Sequence, residues 1–383
     1  MSSFLKPIQR WFAPIEPIEP GIYHYISPQD DPRNYRLHLR IENDGAGVLI
    51  INASTVLHLN ETAAEYAYYF VNNLMSDEVA EKMSHRYQVG NDQALQDYHN
   101  LSERILTLVE TPDLDPVTFL DFDRREPYSG NISAPYRIDC ALTYNLPENA
   151  PAEAAPHKRV TRELSTAEWQ QIIDKAWQVG IPHIIFTGGE PTMRGDLISL
   201  IAHAEKNGQV TGLLTDGLNL REGEYFETLS ATGLDHIVIR LVIEDERVWD
   251  AISTAMDGDI FVAVHITITE GNRSAISTAI NRLAALQVHA ISLSASPDID
   301  DTELEAARDM VAEADISLVW DIPVPYSTHN PVSLEVSVEH PPEGAGRAWL
   351  YIEPDGDVLP DQGQEKILGN VLENNWNEIW HAH

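Results

Sequence analysis

From about residue 136 to residue 330, short β-branched runs alternate with amphipathic stretches, and this alternation constrains the chain more than any other feature. His183-Ile184-Ile185-Phe186, Val210–Leu214, His236–Ile243, Phe261–Ile268, Ala290–Ser294 and Ser317–Trp320 read as strands. Between them Thr166–Val179, Asp196–Asn207, Glu222–Ala231, Ser274–Leu286 and Thr302–Glu313 read as helices. Ser165 with Glu168 and Thr302 with Glu305 have capping-box spacing, and Gly180, Gly208 and Gly233 stand where helices should stop. Repeated strand–helix units imply an α/β fold with a parallel sheet, open or rolled into a full or partial barrel. Functional groups are then expected at the C-terminal strand ends.

The flanks read differently. Residues 1–34 are punctuated by Pro7, Pro14, Pro17, Pro20, Pro28 and Pro32 and read as an extended arm. Residues 35–110 read as a small winged-helix-like domain. Tyr35–Ile41 alternates with period two, Asn43-Asp44-Gly45 marks a turn, and Val48–Leu59 is a strand broken near Asn52. Helices follow at Glu61–Asn72, Asp77–Tyr87 and Asn91–Val109, the first capped by Asn60. Residues 111–135, with Pro112, Pro116, Pro127 and Pro135, read as a linker, and 331–383 as a C-terminal extension.

Charge narrows the partners. The 383 residues carry 25 basic and 60 acidic side chains, a net −35, which excludes the clustered cations that grip nucleic acid. It also disfavours anionic membranes and leaves a basic peptide as the complementary partner. No apolar run approaches the roughly 18–20 residues of a membrane helix, and no secretory leader is evident, so the expected location is the cytosol. A single cysteine, Cys140, excludes any internal disulfide and any site needing two thiols of one chain. There is no Walker loop, dinucleotide fingerprint or nucleophile elbow, nor any HExxH spacing. The terminal pair His381 and His383 reads as a solvated tail, and Glu244-Asp245-Glu246 and Asp298–Asp301 as solvated faces.

Four groups of residues carry a family resemblance. Thr187-Gly188-Gly189-Glu190-Pro191 follows the strand at His183, where paired glycines open the backbone and a carboxylate suits an ammonium group. It resembles the glycine-rich motif by which radical S-adenosylmethionine enzymes hold the amino group of that cofactor. Leu214-Thr215-Asp216-Gly217 is similar to the Thr-Asn-Gly turn of that family. Gly344-Ala345-Gly346, Tyr351–Pro360, Leu368–Val371 and Glu378-Ile379-Trp380 resemble the SPASM or twitch extension of its peptide-modifying members. Leu59–Ala64, Asp77–Ala80 and Tyr87-Gln88-Val89 resemble the recognition elements that hold a leader peptide at a sheet edge. The resemblance implies a partial TIM-like barrel of the radical SAM type over 136–330.

One departure decides the expected chemistry. Active relatives carry CxxxCxxC after the first strand, and the matching positions here are Tyr144, Glu148 and Pro151. The extension's ligand positions fall near Glu343 and on Asp361. Iron–sulfur clusters need thiolates, and Cys140 lies four residues too early, in a strand. No cofactor is therefore expected: a 4Fe-4S cluster is disfavoured, and S-adenosylmethionine is left as an option at a vestigial motif of Gly188, Gly189, Glu190, Pro191, Thr215, Asp216 and Arg240. Arg240 is expected to fill the space of lost ligands or to pair with Glu190.

The expected function is a catalytically degenerate relative that binds a peptide, a basic leader or precursor, or a partner enzyme in a ribosomal-peptide modification system. The alternative is an enzyme of another class, with S-adenosylmethionine or another small ligand in the strand-end pocket. Its polar or hydrolytic chemistry would use Glu190, His265 or Asp321. The last in order is an active radical enzyme with an atypically ligated cluster.

Overall fold

The computed structural model describes residues 18–111, 114, 116, 120, 131–148, 160, 162–296, 298–319 and 344–382. The chain divides into two compact units, Met1–Ile132 and Ser133–His383.

Among the described residues the first unit is a four-stranded antiparallel sheet in chain order with three helices. Its strands are β1 (Gly21–Ile26), β2 (Arg36–Ile41), β3 (Gly47–Ile51) and β4 (Thr55–Leu59). The helices are α1 (Glu61–Val71), α2 (Ser76–Tyr87) and α3 (Asn91–Glu110). Asn60 caps α1 by accepting from the Ala63 amide at 2.9 Å. The break foreseen at Asn52 is a turn in which Asn52 and Ala53 take positive φ, dividing one expected strand into β3 and β4. Alternate residues Leu37, Leu39 and Ile41 of β2, Leu49 and Ile51 of β3, and Leu57 and Leu59 of β4 join Ala64, Ala67, Ile105 and Leu108 in one core.

The expected arm over residues 1–34 needs correction. Gly21–Ile26 is a full strand, paired from Gly21 opposite Ile41 to Ile26 opposite Arg36. Pro20 and Pro28 bound this strand without interrupting it, and Tyr23 and Tyr25 pack on the core. Residues 1–17 and most of the expected linker lie outside the described residues.

The second unit carries a ten-stranded sheet ordered β11-β10-β9-β8-β7-β6-β5-β12-β13-β14. The strands are β5 (Arg137–Thr143), β6 (His183–Gly188), β7 (Val210–Thr215), β8 (His236–Arg240), β9 (Phe261–Ile268), β10 (Ala290–Ala295) and β11 (Ser317–Leu318). All seven run parallel. The extension adds β12 (Trp349–Ile352) parallel to β5, then β13 (Asp357–Leu359) and β14 (Gly369–Asn370) antiparallel. The crossover helices are α4 (Thr166–Gln178), α5 (Leu197–Asn207), α6 (Gly223–Ser230), α7 (Glu246–Met256), α8 (Ile276–Ala285) and α9 (Asp301–Glu313), and α10 (Trp376–Trp380) closes the chain. This is the partial TIM-like barrel expected from the alternation.

Local signals explain most boundaries. Ser165 and Glu168 form the capping box, and Gly180, Gly208 and Gly233 end helices with positive φ. Two readings change. The α9 cap is Asp300, whose carboxylate accepts from the Thr302 amide, so the Thr302–Glu305 box lies two residues inside the helix. The acidic run Glu244–Glu246 is the start of α7, where carboxylates meet the positive end of the helix dipole.

Candidate functional site

The parallel sheet defines an interior face. Leu214, Val238, Ala263 and Ala290, one from each of β7 to β10, form a shared apolar floor. Strand periodicity places the residues two positions onward on the same face, so a polar layer of Asp216, Arg240, His265 and Ser292 lies above it. His265 is held from both ring nitrogens, Nδ1 to Ser292 Oγ and Nε2 to Ser294 Oγ, each at 3.0 Å. Burial and the neighbouring Arg240 push its pKa down to about 3, so the imidazole is neutral across the physiological range.

At the end of β6 the two glycines are required by backbone packing. A Cβ on Gly188 would lie 2.2 Å from Thr143 O, and one on Gly189 would lie 2.2 Å from Asn145 O. Gly188 also sits at φ +120. The contacts are hydrogen-bonded: the Gly189 amide donates to Thr143 O at 2.7 Å and the Glu190 amide to Asn145 O at 2.8 Å. The motif therefore clamps the loop that follows β5. Pro191 opens a single 3-10 turn, Pro191–Met193.

Glu190 is buried and its carboxylate is bound by its own chain. Oε1 accepts from the Thr192 amide (2.9 Å), Thr192 Oγ1 (2.5 Å) and Thr215 Oγ1 (2.7 Å), and Oε2 accepts from the Asp216 amide (2.7 Å). Three of the four bonds fall on Oε1 and one on Oε2, so Oε2 retains a lone pair. The four bonds tie the ends of β6 and β7 together, with Thr192 contributing two of them. Burial, with the charge of Asp216, pushes the Glu190 pKa up to about 7. The expected Glu190–Arg240 ion pair is absent among the described residues, because these donors satisfy Glu190 and Arg240 stands beside His265 on the next strand pair.

The loop after β5 is closed in a different way from a metal-binding loop. Tyr144 is buried, and its hydroxyl donates to Glu353 Oε1 at 3.1 Å and lies 3.3 Å from the Tyr351 hydroxyl. Burial and these two neighbours push its pKa far above the usual phenol range. Glu163 ties the same loop, accepting from Thr143 Oγ1 at 2.5 Å and the Tyr144 amide at 3.2 Å. Arg194 donates to Leu142 O at 2.9 Å while its other arm pairs with Asp196 at 2.7 Å. Glu148 is solvent-exposed, and Pro151, Glu343 and Asp321 lie outside the described residues. Asp361 is buried, accepts from Trp349 Nε1 at 3.0 Å, and is pushed up to about 6 by burial.

These residues do not fit a 4Fe-4S cluster. Cys140 has no exposed surface, sits within β5 opposite Phe186, and burial raises its pKa. A thiol held there cannot reach a loop-borne metal, and a phenol kept neutral by a carboxylate is no iron ligand. The sequence reading missed Thr192, Glu163, Tyr351 and Glu353. Tyr351 lies on β12 and Glu353 just after it, but nothing in the local pattern indicates that β12 would pair with β5.

Comparison with known proteins agrees with this architecture. Residues 143–309 match the Radical SAM superfamily. SuiB of Streptococcus suis, solved bound to S-adenosylmethionine, is 15% identical with a TM-score of 0.61, covering 93% of this chain and 88% of that one. The same enzyme bound to its precursor peptide SuiA gives a TM-score of 0.61 at 15% identity, over 94% of this chain and 88% of that one. The protein anSMEcpe with bound AdoMet and Kp18Cys peptide reaches 0.50 at 12% identity, over 64% of this chain and 80% of that one. Among the described residues no helix is long and apolar enough to cross a membrane. Over residues 143–309 the strand–helix repeat of this chain is similar to the Radical SAM superfamily.

Proposed function

We propose that this chain is a Radical SAM-fold protein that binds a peptide in a ribosomal-peptide modification system without performing radical chemistry. One observation carries the reading: the first cluster position is Tyr144, and its hydroxyl is bound inside the barrel by Glu353 and Tyr351. The loop that presents cluster thiolates in active members is here stitched shut by Tyr144, Glu163 and Arg194. The peptide half of the reading rests on the first unit. Its sheet ends in β4, an edge strand with backbone groups able to accept an added strand. SuiB, similar in fold over both units, was crystallised with its precursor peptide. The net charge of −35 favours a basic peptide.

Non-radical chemistry at Glu190 is less well supported, because its carboxylate is buried and already bound by four donors of its own chain. The test is binding of an immobilised library of basic 15-residue peptides to the full chain and to a chain lacking residues 1–110. Loss of all binding on truncation, with helix content of the remainder retained by circular dichroism, supports the reading. Undiminished binding by the truncated chain contradicts it.

A further inference from the structure

The first unit contains a cavity of about 290 Å³, away from the β4 edge. It lies between the β2–β3 turn, the first turns of α1 and the end of α2. Its apolar wall is Ile18, Pro20, Ile41 and Ala64. Its polar wall is built around Glu65, which is only 2% exposed. Arg86 Nε lies 2.7 Å from Glu65, and the hydroxyls of Tyr69 and Tyr87 donate to it at 2.8 and 2.9 Å. That carboxylate raises the pKa of Tyr87, second to burial itself. Glu65 and Arg86 neutralise each other, so this wall is rigid and without net charge.

Asp44 and Glu61 also line the cavity, are solvent-exposed, and pair with no cation among the described residues. Asp44 Oδ1 accepts from the Ala46 amide at 3.0 Å, and the stem of Glu61 lies against Gly45, where a Cβ would come within 3.1 Å. Gly45 itself has φ +84, so the turn holds both carboxylates at this rim. The cavity thus has an apolar body, a neutral polar wall and two uncompensated negative charges. A long aliphatic stem ending in a cation matches all three features.

We infer that this cavity receives a lysine or arginine side chain of the bound peptide, its stem against Ile41 and Ala64 and its cation between Asp44 and Glu61. The inference rests on the peptide-binding reading and adds a side-chain pocket separate from the strand edge.

The test uses the full chain and the tripeptide acetyl-Ala-Arg-Ala-amide, with its citrulline counterpart as a neutral isostere, read by saturation-transfer NMR. The arginine peptide should bind at least about tenfold more tightly than the citrulline peptide. Asp44→Asn with Glu61→Gln should weaken it by about tenfold, as expected for two partly screened ion pairs. Both positions are exposed and the asparagine can still accept from Ala46, so this variant should keep its fold. Equal binding of arginine and citrulline, or undiminished binding by the double variant, overturns the assignment. Spermidine binding tenfold more tightly than the arginine peptide also overturns it, reassigning the cavity to free polyamines. If the arginine probe fails while library peptides still bind through residues 1–110, only this inference falls. If the probe binds and the library does not, the broader reading falls instead.

Discussion

The Tyr144 hydroxyl donates to the Glu353 carboxylate at 3.1 Å, joining the loop after β5 to the turn after β12 across 209 positions of sequence. Tyr351 lies 3.3 Å from the same hydroxyl, so two phenols and a carboxylate form one buried chain of hydrogen bonds. This chain of hydrogen bonds spans the β5–β12 junction.

Tyr144→Phe removes the donor and leaves Glu353 short of a partner in the interior. The expected cost is about 1–3 kcal/mol, and Tyr144→Ala should cost more, about 3–5 kcal/mol, because a cavity is added. Glu148→Ala, at an exposed position further along the same loop, should stay within about 0.5 kcal/mol of the parent. Urea denaturation measures all three. Equal stability of Tyr144→Ala and Glu148→Ala would show that the loop is not held by this network.

Gly188→Ala and Gly189→Ala should each prevent correct folding, because the added Cβ would sit 2.2 Å from a carbonyl oxygen of the β5 loop. Gly195→Ala, where nothing lies within 4 Å, is the matched control and should fold normally. Soluble yield and near-ultraviolet circular dichroism distinguish them. A folded Gly189→Ala protein would mean that the motif does not clamp the loop.

Two buried carboxyls should each contribute stability that is lost as pH rises toward about 7. Glu190 and Asp361 have folded-state pKa values pushed up to about 7 and about 6, above their ordinary 4.5 and 3.8. These two carboxyls keep protons in the folded chain that the unfolded chain has released, so their contribution is lost as pH rises through about 6 and 7. The buried imidazoles of His183, His236 and His265, pushed down by burial, act in the opposite sense below about pH 6.5. The carboxyls of Asp196 and Asp245 are held low by Arg194 and Arg247, and their contribution is lost only below about pH 4. Glu190→Gln should remove this group's loss of stability between about pH 5 and 7, so that the variant gains relative to the parent as pH rises. It should lower stability at acidic pH, since an amide cannot accept from all four donors. Thermal midpoints measured from pH 4 to 8 test this, and an unchanged slope in the variant would count against it.

Cys140 should be inert to thiol reagents in the native state, with no exposed surface and a pKa raised by burial and by Asp139. Labelling with a disulfide reagent should require urea at unfolding concentrations. Rapid native labelling would place the thiol outside the strand interior.

Much of the architecture is legible in the chain because its signals are local. Strand runs such as Phe261–Ile268, the Ser165–Glu168 box and the glycines at 180, 208 and 233 act within a few residues of themselves. What escaped is non-local or ambiguous. β1 is bracketed by prolines that read as an arm, and α7 begins in an acidic run that reads equally well as surface. The role of Glu190 shows the same limit. Its motif is visible, but the donors that hold its carboxylate come from Thr192, Thr215 and the Asp216 amide, two of them 25 and 26 positions away. The closing of the β5 loop by Tyr351 and Glu353 depends on a strand pairing that no sequence pattern near either residue announces.

The central claim is that this barrel stands without an iron–sulfur cluster. The most direct measurement is iron and acid-labile sulfide per chain after anaerobic reconstitution, read with the visible absorption spectrum. Iron near zero with no sulfide-to-iron band is the predicted result. About four irons per chain, with the corresponding band and sulfide, would contradict the account and make Tyr144 and Glu148 the first residues to replace.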